Sequence, residues 1–251
     1  MSASEIRHDD RGHDNMNQPK YKRILLKLSG EALAEGADGI LNFSIIEKIA
    51  DVIKDCTAAG VQVAVLVGAG NIWRGRQGGG MDRVRADHMG MLATTINSLA
   101  LADTFEQKGI STCVLTAVEM QTFADAYSAR RARAELEAGK VVVLGCGSGL
   151  PFFSTDTAAV LRAAEIGADM ILMAKNIDGV YNADPRIDPT ATRYDEITYG
   201  EILEQKLRAL DMSATLMCME NDLRCYAFAL QDPQNIYRVV MGERVGTEMH
   251  N

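Results

Sequence analysis

From Val61 to Val67 the chain reads Val-Gln-Val-Ala-Val-Leu-Val, six apolar residues in seven, four of them valine. A strand with no polar face has no solvent side, so it belongs in the interior of a sheet covered by helices above and below. Similar short apolar runs recur at Ile24–Leu28, Val141–Leu144 and Met170–Ala174, separated by longer stretches with helical spacing. Such strand–helix alternation predicts an α/β fold: a mainly parallel central sheet sandwiched by helices.

Local signals give the order of elements. Lys22–Leu28 reads as a first strand that stops at Ser29-Gly30. Ile45, Ile46, Ile49, Val52 and Ile53 recur at helical spacing behind Ser44, a candidate cap, and Gly60 closes that helix. A Gly-rich loop (68–80) leads to a long helix over about 82–108, a short strand at 112–115, a helix at 128–138 and a strand at 141–144. A second Gly-rich loop (145–149) passes through Pro151 into a helix over about 155–166, followed by a strand at 169–174. Asp178-Gly179, Asp184-Pro185 and Asp188-Pro189 mark 176–194 as turns. Thr198 and Glu201 form a capping-box signature for a helix at 199–208. A Met-rich helix near 213–221, a strand at 224–228 and a short helix before Gly242 finish the chain. Residues 1–20 are polar and mixed in charge and are expected to be a disordered tail, with 21–251 a single domain.

Composition removes several function classes. The 26 Lys+Arg against 34 Asp+Glu give a net charge of −8, which disfavours nucleic acid and anionic membranes as partners, since phosphate-backbone affinity rests on clustered cations. Of four His, only His88 is not in a terminal segment, so a His-centred triad or a multi-His metal site has almost nothing to build on. Five Cys, none in a C-x-x-C pair, point to a reducing, cytoplasmic compartment. No apolar run reaches the ~18 residues of a membrane span.

In open α/β sheets ligands bind beyond the carboxyl ends of the strands. Three Gly-bearing loops fall there: Lys27-Leu28-Ser29-Gly30, Gly68-Ala69-Gly70-Asn71 and Gly145-Cys146-Gly147-Ser148-Gly149. Glycine lets the backbone approach a ligand closely, and successive N–H groups can cradle phosphate oxygens. Lys27, Arg74 and Arg76 supply cations nearby. Two familiar nucleotide motifs fail. The only Gly-Lys, Gly139-Lys140, is followed by Val141 and is no P-loop; neither Gly68-x-Gly70 nor Gly145-x-Gly147 completes G-x-G-x-x-G.

Tyr21-Lys22-Arg23-Ile24-Leu25-Leu26-Lys27-Leu28-Ser29-Gly30-Glu31 resembles the opening of bacterial uridylate (UMP) kinases, members of the amino-acid kinase family. Collinear matches follow at Gly70–Gly75, Ala86–Thr94, Pro151–Asp156, Asp178–Pro185 and Arg238–Glu243. Asp87-His88-Met89-Gly90-Met91-Leu92-Ala93-Thr94 separates uridylate kinases from acetylglutamate, aspartate and carbamate kinases.

The resemblance implies transfer of the ATP γ-phosphoryl group to UMP with Mg²⁺, in pyrimidine nucleotide synthesis, by a homohexamer that holds no metal of its own. Its acceptor-binding part would cover about 21–155 and its ATP-binding part about 156–249. Lys27, Arg74 and Asp156 would be catalytic. Lys27, Leu28, Ser29, Gly30, Gly70, Arg74, Asn176, Tyr181 and Asp184 would bind ATP, with Lys175 an alternative to Asn176. Ala69, Asp87, Ser148, Gly149, Leu150, Pro151, Phe152, Phe153, Ser154 and Thr155 would bind UMP, Asp87 accepting the ribose hydroxyls. The chain departs from the family pattern at Ala69, where Gly is usual, and at Leu150, where an Asn amide is usual. The segment 34–39, near which some relatives bind GTP, matches poorly.

Plainer readings stand beside these. Lys27 could be a surface lysine; Arg74, Arg76, Arg83 and Arg85 a solvated cationic face; Arg130, Arg131 and Arg133 an exposed helix face. His88 reads as a helix-packing residue or subunit contact, Trp73 as loop packing, the Met212–Met219 cluster as core, and Asp184-Pro185 as a turn. The alternative function is a nucleotide- or oxyanion-binding storage or regulatory protein on the same fold without turnover.

Overall fold

The structure, a computed structural model, describes residues 18–73 and 79–251. Of the expected tail only residues 18–20 are described; there the Lys20 N–H donates to Val240 O at 2.8 Å. Arg74 and Arg76 lie outside the described residues.

The elements run β1 (Arg23–Leu28), a 3₁₀ turn (Glu31–Ala34), α1 (Phe43–Ala58), β2 (Gln62–Val67), α2 (Arg83–Gln107), β3 (Thr112–Thr116) and β4 (Asp125–Ala126). They continue with α3 (Ala129–Glu137), β5 (Val141–Gly145), α4 (Thr155–Ile166), β6 (Met170–Lys175), β7 (Glu196–Thr198) and α5 (Tyr199–Glu204). The chain closes with α6 (Met212–Glu220), β8 (Cys225–Ala229), α7 (Gln234–Val240) and β9 (Thr247–His250). The described strands form one sheet in the order β4-β3-β5-β2-β1-β6-β8-β9-β7. Every pairing is parallel except β8 with β9.

The side-chain period of two divides the buried strands between two cores. Ile24, Leu26 and Leu28 of β1, with Val63, Val65 and Val67 of β2, pack against α1, α2 and α7. Leu25, Ala64 and Leu66 face α3, α4, α5 and α6 on the other side. Each fully buried aliphatic side chain stabilises by roughly 1.5–3 kcal/mol, so continuous apolar strands hold this double-faced sheet together.

The expected strands and helices are found, with shifted ends. Asn42, and not Ser44, caps α1: its side chain accepts the Ser44 N–H at 3.1 Å. Thr198 and Glu201 form the full capping box of α5, but that helix stops at Glu204, short of Arg208, before Lys206 takes φ +54°. Strands β4, β7 and β9, of two to four residues, are too short to carry a period and were not anticipated. Among the described residues no helix is long and apolar enough to cross a membrane.

The antiparallel β8–β9 junction is tight: a Cβ at Gly246 would lie 2.1 Å from Ala227 O. Gly246→Ala is expected to destabilise the protein by at least ~2 kcal/mol through overpacking, read as a lowered denaturation midpoint at unchanged m-value.

Candidate active site

Strand order places the candidate loops side by side. β5, β2, β1 and β6 are consecutive and parallel, so their carboxyl ends share one edge. The loops after β1 and β2 meet at Gly30, where an added Cβ would stand 2.5 Å from Gly68 O and 2.7 Å from Gly70 N. Only hydrogen fits there, so the glycine backbone of the two loops is pressed together and open to the cleft in front. From behind, Asn97 of α2, fully buried, donates to Gly68 O at 2.8 Å and to Asn71 Oδ1 at 2.8 Å. Asn71 in turn donates to Ile40 O at 2.6 Å. Ala69 is not among the residues with positive φ, so its methyl adds no backbone strain; it lines the cleft.

Charge enters from β1 and α4. Lys27 shares the strand face of Leu25, which packs toward α4, and its Nζ lies 2.9 Å from Asp156 Oδ1. Asp156 stands in the first turn of α4, whose Ser154 cap accepts the Thr157 N–H at 3.1 Å. A helix N-terminus favours negative charge, its own or a ligand's. Lys175, ending β6, lies 3.8 Å from Asp156 Oδ2 and also donates to Ala209 O. Burial alone would push the Asp156 carboxyl up, but Lys27 and Lys175 outweigh it and hold it below the usual range. Burial pushes the Lys175 ammonium down, against the pull of Asp156. Because the folded pKa of Asp156 is depressed, its stabilising contribution is complete above about pH 4 and is lost as pH falls through the folded value.

The third loop closes the cleft. Cys146, Gly147, Gly149 and Phe152 all have positive φ, a tight course that brings 146–154 back over the sheet edge. The Cys146 N–H donates to Thr94 Oγ1 of α2 at 2.8 Å, and Arg162, 6% exposed, donates to Gly147 O and Ser148 O at 3.3 and 3.2 Å. Asp87, one turn into α2, accepts from the Phe152 N–H at 2.8 Å and from Arg83 Nε at 2.9 Å. Asp211 caps α6 through the Ala214 N–H at 2.9 Å and accepts from Ser154 and Thr157 of α4.

Together these loops enclose a cleft of about 600 Å³. Of the residues expected from sequence it brings together Lys27, Ser29, Gly30, Ala69, Gly70, Asp87, Ser148, Leu150, Phe152, Phe153, Ser154, Thr155 and Asp156. Leu28 does not join them: its side chain is fully buried in the core and its carbonyl accepts the Gly68 N–H at 3.0 Å. Gly149 and Pro151 shape the loop without lining the cleft. Asn176, Tyr181 and Asp184 follow β6, the neighbour of β1, but lie outside the cleft. The Tyr181 hydroxyl donates to Asp178 at 2.8 Å; Asp184 opens the turn that Asp-Pro signals, its carbonyl accepting the Ile187 N–H at 2.9 Å and its carboxylate accepting from Arg186 at 2.9 and 3.0 Å.

Other residues were misread or missed. Trp73 is packing, as expected, its Nε1 donating to Ala86 O at 2.9 Å, but its ring also lines the cleft. Arg83, its side chain 40% exposed, also lines the cleft. His88 is exposed. Asp211, Asn97, Thr94 and Arg162 were not anticipated; the one available signal was the run Thr94-Thr95-Ile96-Asn97-Ser98, polar groups inside an otherwise apolar helix.

A cleft at the carboxyl edge of a parallel sheet, walled by glycine backbone, a helix N-terminus and a lysine–aspartate pair, defines the class of α/β proteins that hold anionic ligands. The model of the amino acid kinase family matches residues 22–228, and the chain belongs to that family. It is similar to the solved UMP kinase of Bacillus anthracis, 36% identical with a TM-score of 0.88 over 92% of this chain and 96% of that one. The UMP kinase of Ureaplasma parvum matches at 36% identity and TM-score 0.88, over 92% and 99% of the two chains. The uridylate kinase of Archaeoglobus fulgidus is more distant, at 28% identity and TM-score 0.69 over 90% and 99%.

Gly30→Ala forces the first two loops apart at the cleft wall. Turnover is expected to fall about 10²-fold, the scale of an ångström-sized misplacement, with the circular dichroism spectrum unchanged.

Proposed function

We propose that the chain is an ATP-dependent UMP kinase that transfers the γ-phosphoryl group of ATP to UMP, giving UDP and ADP, in pyrimidine nucleotide synthesis. The observation that carries this reading is a single cleft joining Lys27 and Asp156 to the Gly30/Gly70 backbone and to Asp87, in a chain 36% identical to two UMP kinases.

Phosphoryl transfer needs little covalent help from the protein; positioning and charge stabilisation do most of the work. The acceptor is itself a phosphate whose second pKa is about 6, so its attacking oxygen is already ionised near pH 7 and no histidine base is needed. In this reading Lys27 neutralises the transferring group and Asp156 orients Lys27. Ser29 and the Gly30 and Gly70 N–H groups hold the ATP phosphates, and Arg74 links donor and acceptor charge. Asp87 accepts the UMP ribose hydroxyls, while Ala69 and the 148–155 loop surround uracil and its phosphate. Asn176, Tyr181 and Asp184 serve the adenosine end, next along the same sheet edge.

Among the described residues no group of three His, Cys, Asp or Glu could hold a metal. Mg²⁺ binds chiefly through substrate phosphates and retains waters, so it enters here with ATP and neutralises phosphate charge; Asp156 and Asp211 are carboxylates of the cleft within whose reach it would come.

The protein works in the cytoplasm as a homo-oligomer, a hexamer by resemblance. Supporting this, Met89, Leu92, Ile96 and Leu99 form an exposed apolar stripe at helical spacing on α2. Leu92→Glu with Ile96→Glu is expected to yield smaller particles by sedimentation velocity; an unchanged coefficient means the stripe is no subunit contact.

An ADP-release assay with UMP, CMP, dTMP and acetylglutamate is expected to favour UMP; equal turnover of another acceptor overturns the assignment. Calorimetry showing that ATP and UMP bind without product would favour the storage reading. Lys27→Ala is expected to lower kcat at least ~10²-fold in a folded protein, the scale of one lost electrostatic stabiliser.

A further inference from the structure

Arg83, Asp87 and Phe152 make a three-part clamp at the acceptor end of the cleft. Arg83 is the first residue of α2, and Asp87 follows one turn later on the same face. The two donors on Asp87 share a single oxygen: Arg83 Nε reaches Oδ2 at 2.9 Å and the Phe152 N–H reaches Oδ2 at 2.8 Å. Among the described residues Oδ1 accepts no hydrogen bond. The third side of the clamp is the Arg83 guanidinium, which sits 5.4 Å from the centre of the Phe152 ring.

Phe152 has φ +72°, a backbone conformation rare for a bulky side chain and one that persists only where the surroundings enforce it. Here it turns the N–H of an exposed loop toward a carboxylate 65 positions earlier in the chain. A half-exposed i,i+4 ion pair contributes little to folding, so stability does not account for the arrangement. A carboxylate pinned through one oxygen has its rotamer fixed and presents the other oxygen in a set direction. A hydroxyl arriving there meets an acceptor already in place and loses less to ordering.

We propose that Arg83 is a positioning residue for ribose recognition: with the Phe152 N–H it clamps Asp87 Oδ2 so that Oδ1 faces the 2′-hydroxyl of the acceptor nucleotide. This rests on the UMP kinase reading and on Asp87 as the ribose acceptor. Arg83 acts through Asp87, so its loss weakens binding of the sugar without touching phosphoryl transfer itself.

The test compares wild type, Arg83→Met, Arg83→Lys and Asp87→Asn by calorimetry with UMP and with dUMP, which lacks the 2′-hydroxyl, and by kcat at saturating UMP. Arg83→Met is expected to raise the Kd for UMP about 10-fold and that for dUMP less than about 2-fold, with kcat within about 2-fold of wild type. Arg83→Lys, which keeps the charge but not the planar fork, recovers part of the UMP affinity. Equal weakening of UMP and dUMP by Arg83→Met makes Arg83 a general structural support and overturns the clamp. If Asp87→Asn leaves the UMP-to-dUMP ratio unchanged, Asp87 is not the ribose acceptor and the clamp falls with that assignment. If Asp87→Asn abolishes the ratio while Arg83→Met preserves it, the clamp alone fails and the UMP kinase reading stands.

Discussion

The close approach of two backbones at Gly30 sets the geometry of everything around it. With an added Cβ there 2.5 Å from Gly68 O, no other residue lets the loop after β1 touch the loop after β2. That contact turns two ordinary strand–helix turns into one wall of glycine backbone lining the cleft. The parallel register from Arg23↔Gln62 to Leu28↔Val67 delivers both loops to the same height. Asn97, buried behind them, keeps the wall from relaxing into the space beneath α2.

Charge is added to this wall sparingly. An acidic chain of net charge −8 repels polyanions as a whole, yet concentrates cations where its strands end. Lys27 and Lys175 stand on adjacent strands β1 and β6 with Asp156 between them, and Asp87 and Asp211 add carboxylates to the same cleft. Asp156 remains ionised because both lysines offset its burial. A phosphate entering the cleft can draw Lys27 away while Lys175 continues to balance Asp156, which avoids leaving a buried carboxylate unpaired.

Much of this was legible in the sequence because it is written in local patterns. The valine run of β2 has no polar face, and the Gly-bearing turns end strands; together they gave the sheet, its two cores and the edge where the cleft lies. Tertiary placement was not legible. Asp211 meets Thr157 across 54 positions, and Asp87 meets Phe152 across 65; neither pairing leaves a periodic trace. Arg83 could not be told from one of a solvated cationic face, because an i,i+4 pair with Asp87 is what any surface helix shows. Strands β4, β7 and β9 are shorter than the period needed to detect them. Leu28 lies in the core, and Asn176, Tyr181 and Asp184 do not line the cleft; their assignment to ATP rests on the family resemblance alone.

The central claim is that one cleft holds UMP and the ATP phosphates, with the transferring phosphate between Lys27 and the Gly30–Gly70 backbone. A crystal structure with UMP and a non-hydrolysable ATP analogue tests it directly. The account predicts the γ-phosphate within hydrogen-bond distance of Lys27 Nζ and the Gly30 and Gly70 N–H groups, with the UMP ribose on Asp87. A γ-phosphate bound away from Lys27, or UMP seated outside the 146–154 loop, would contradict it.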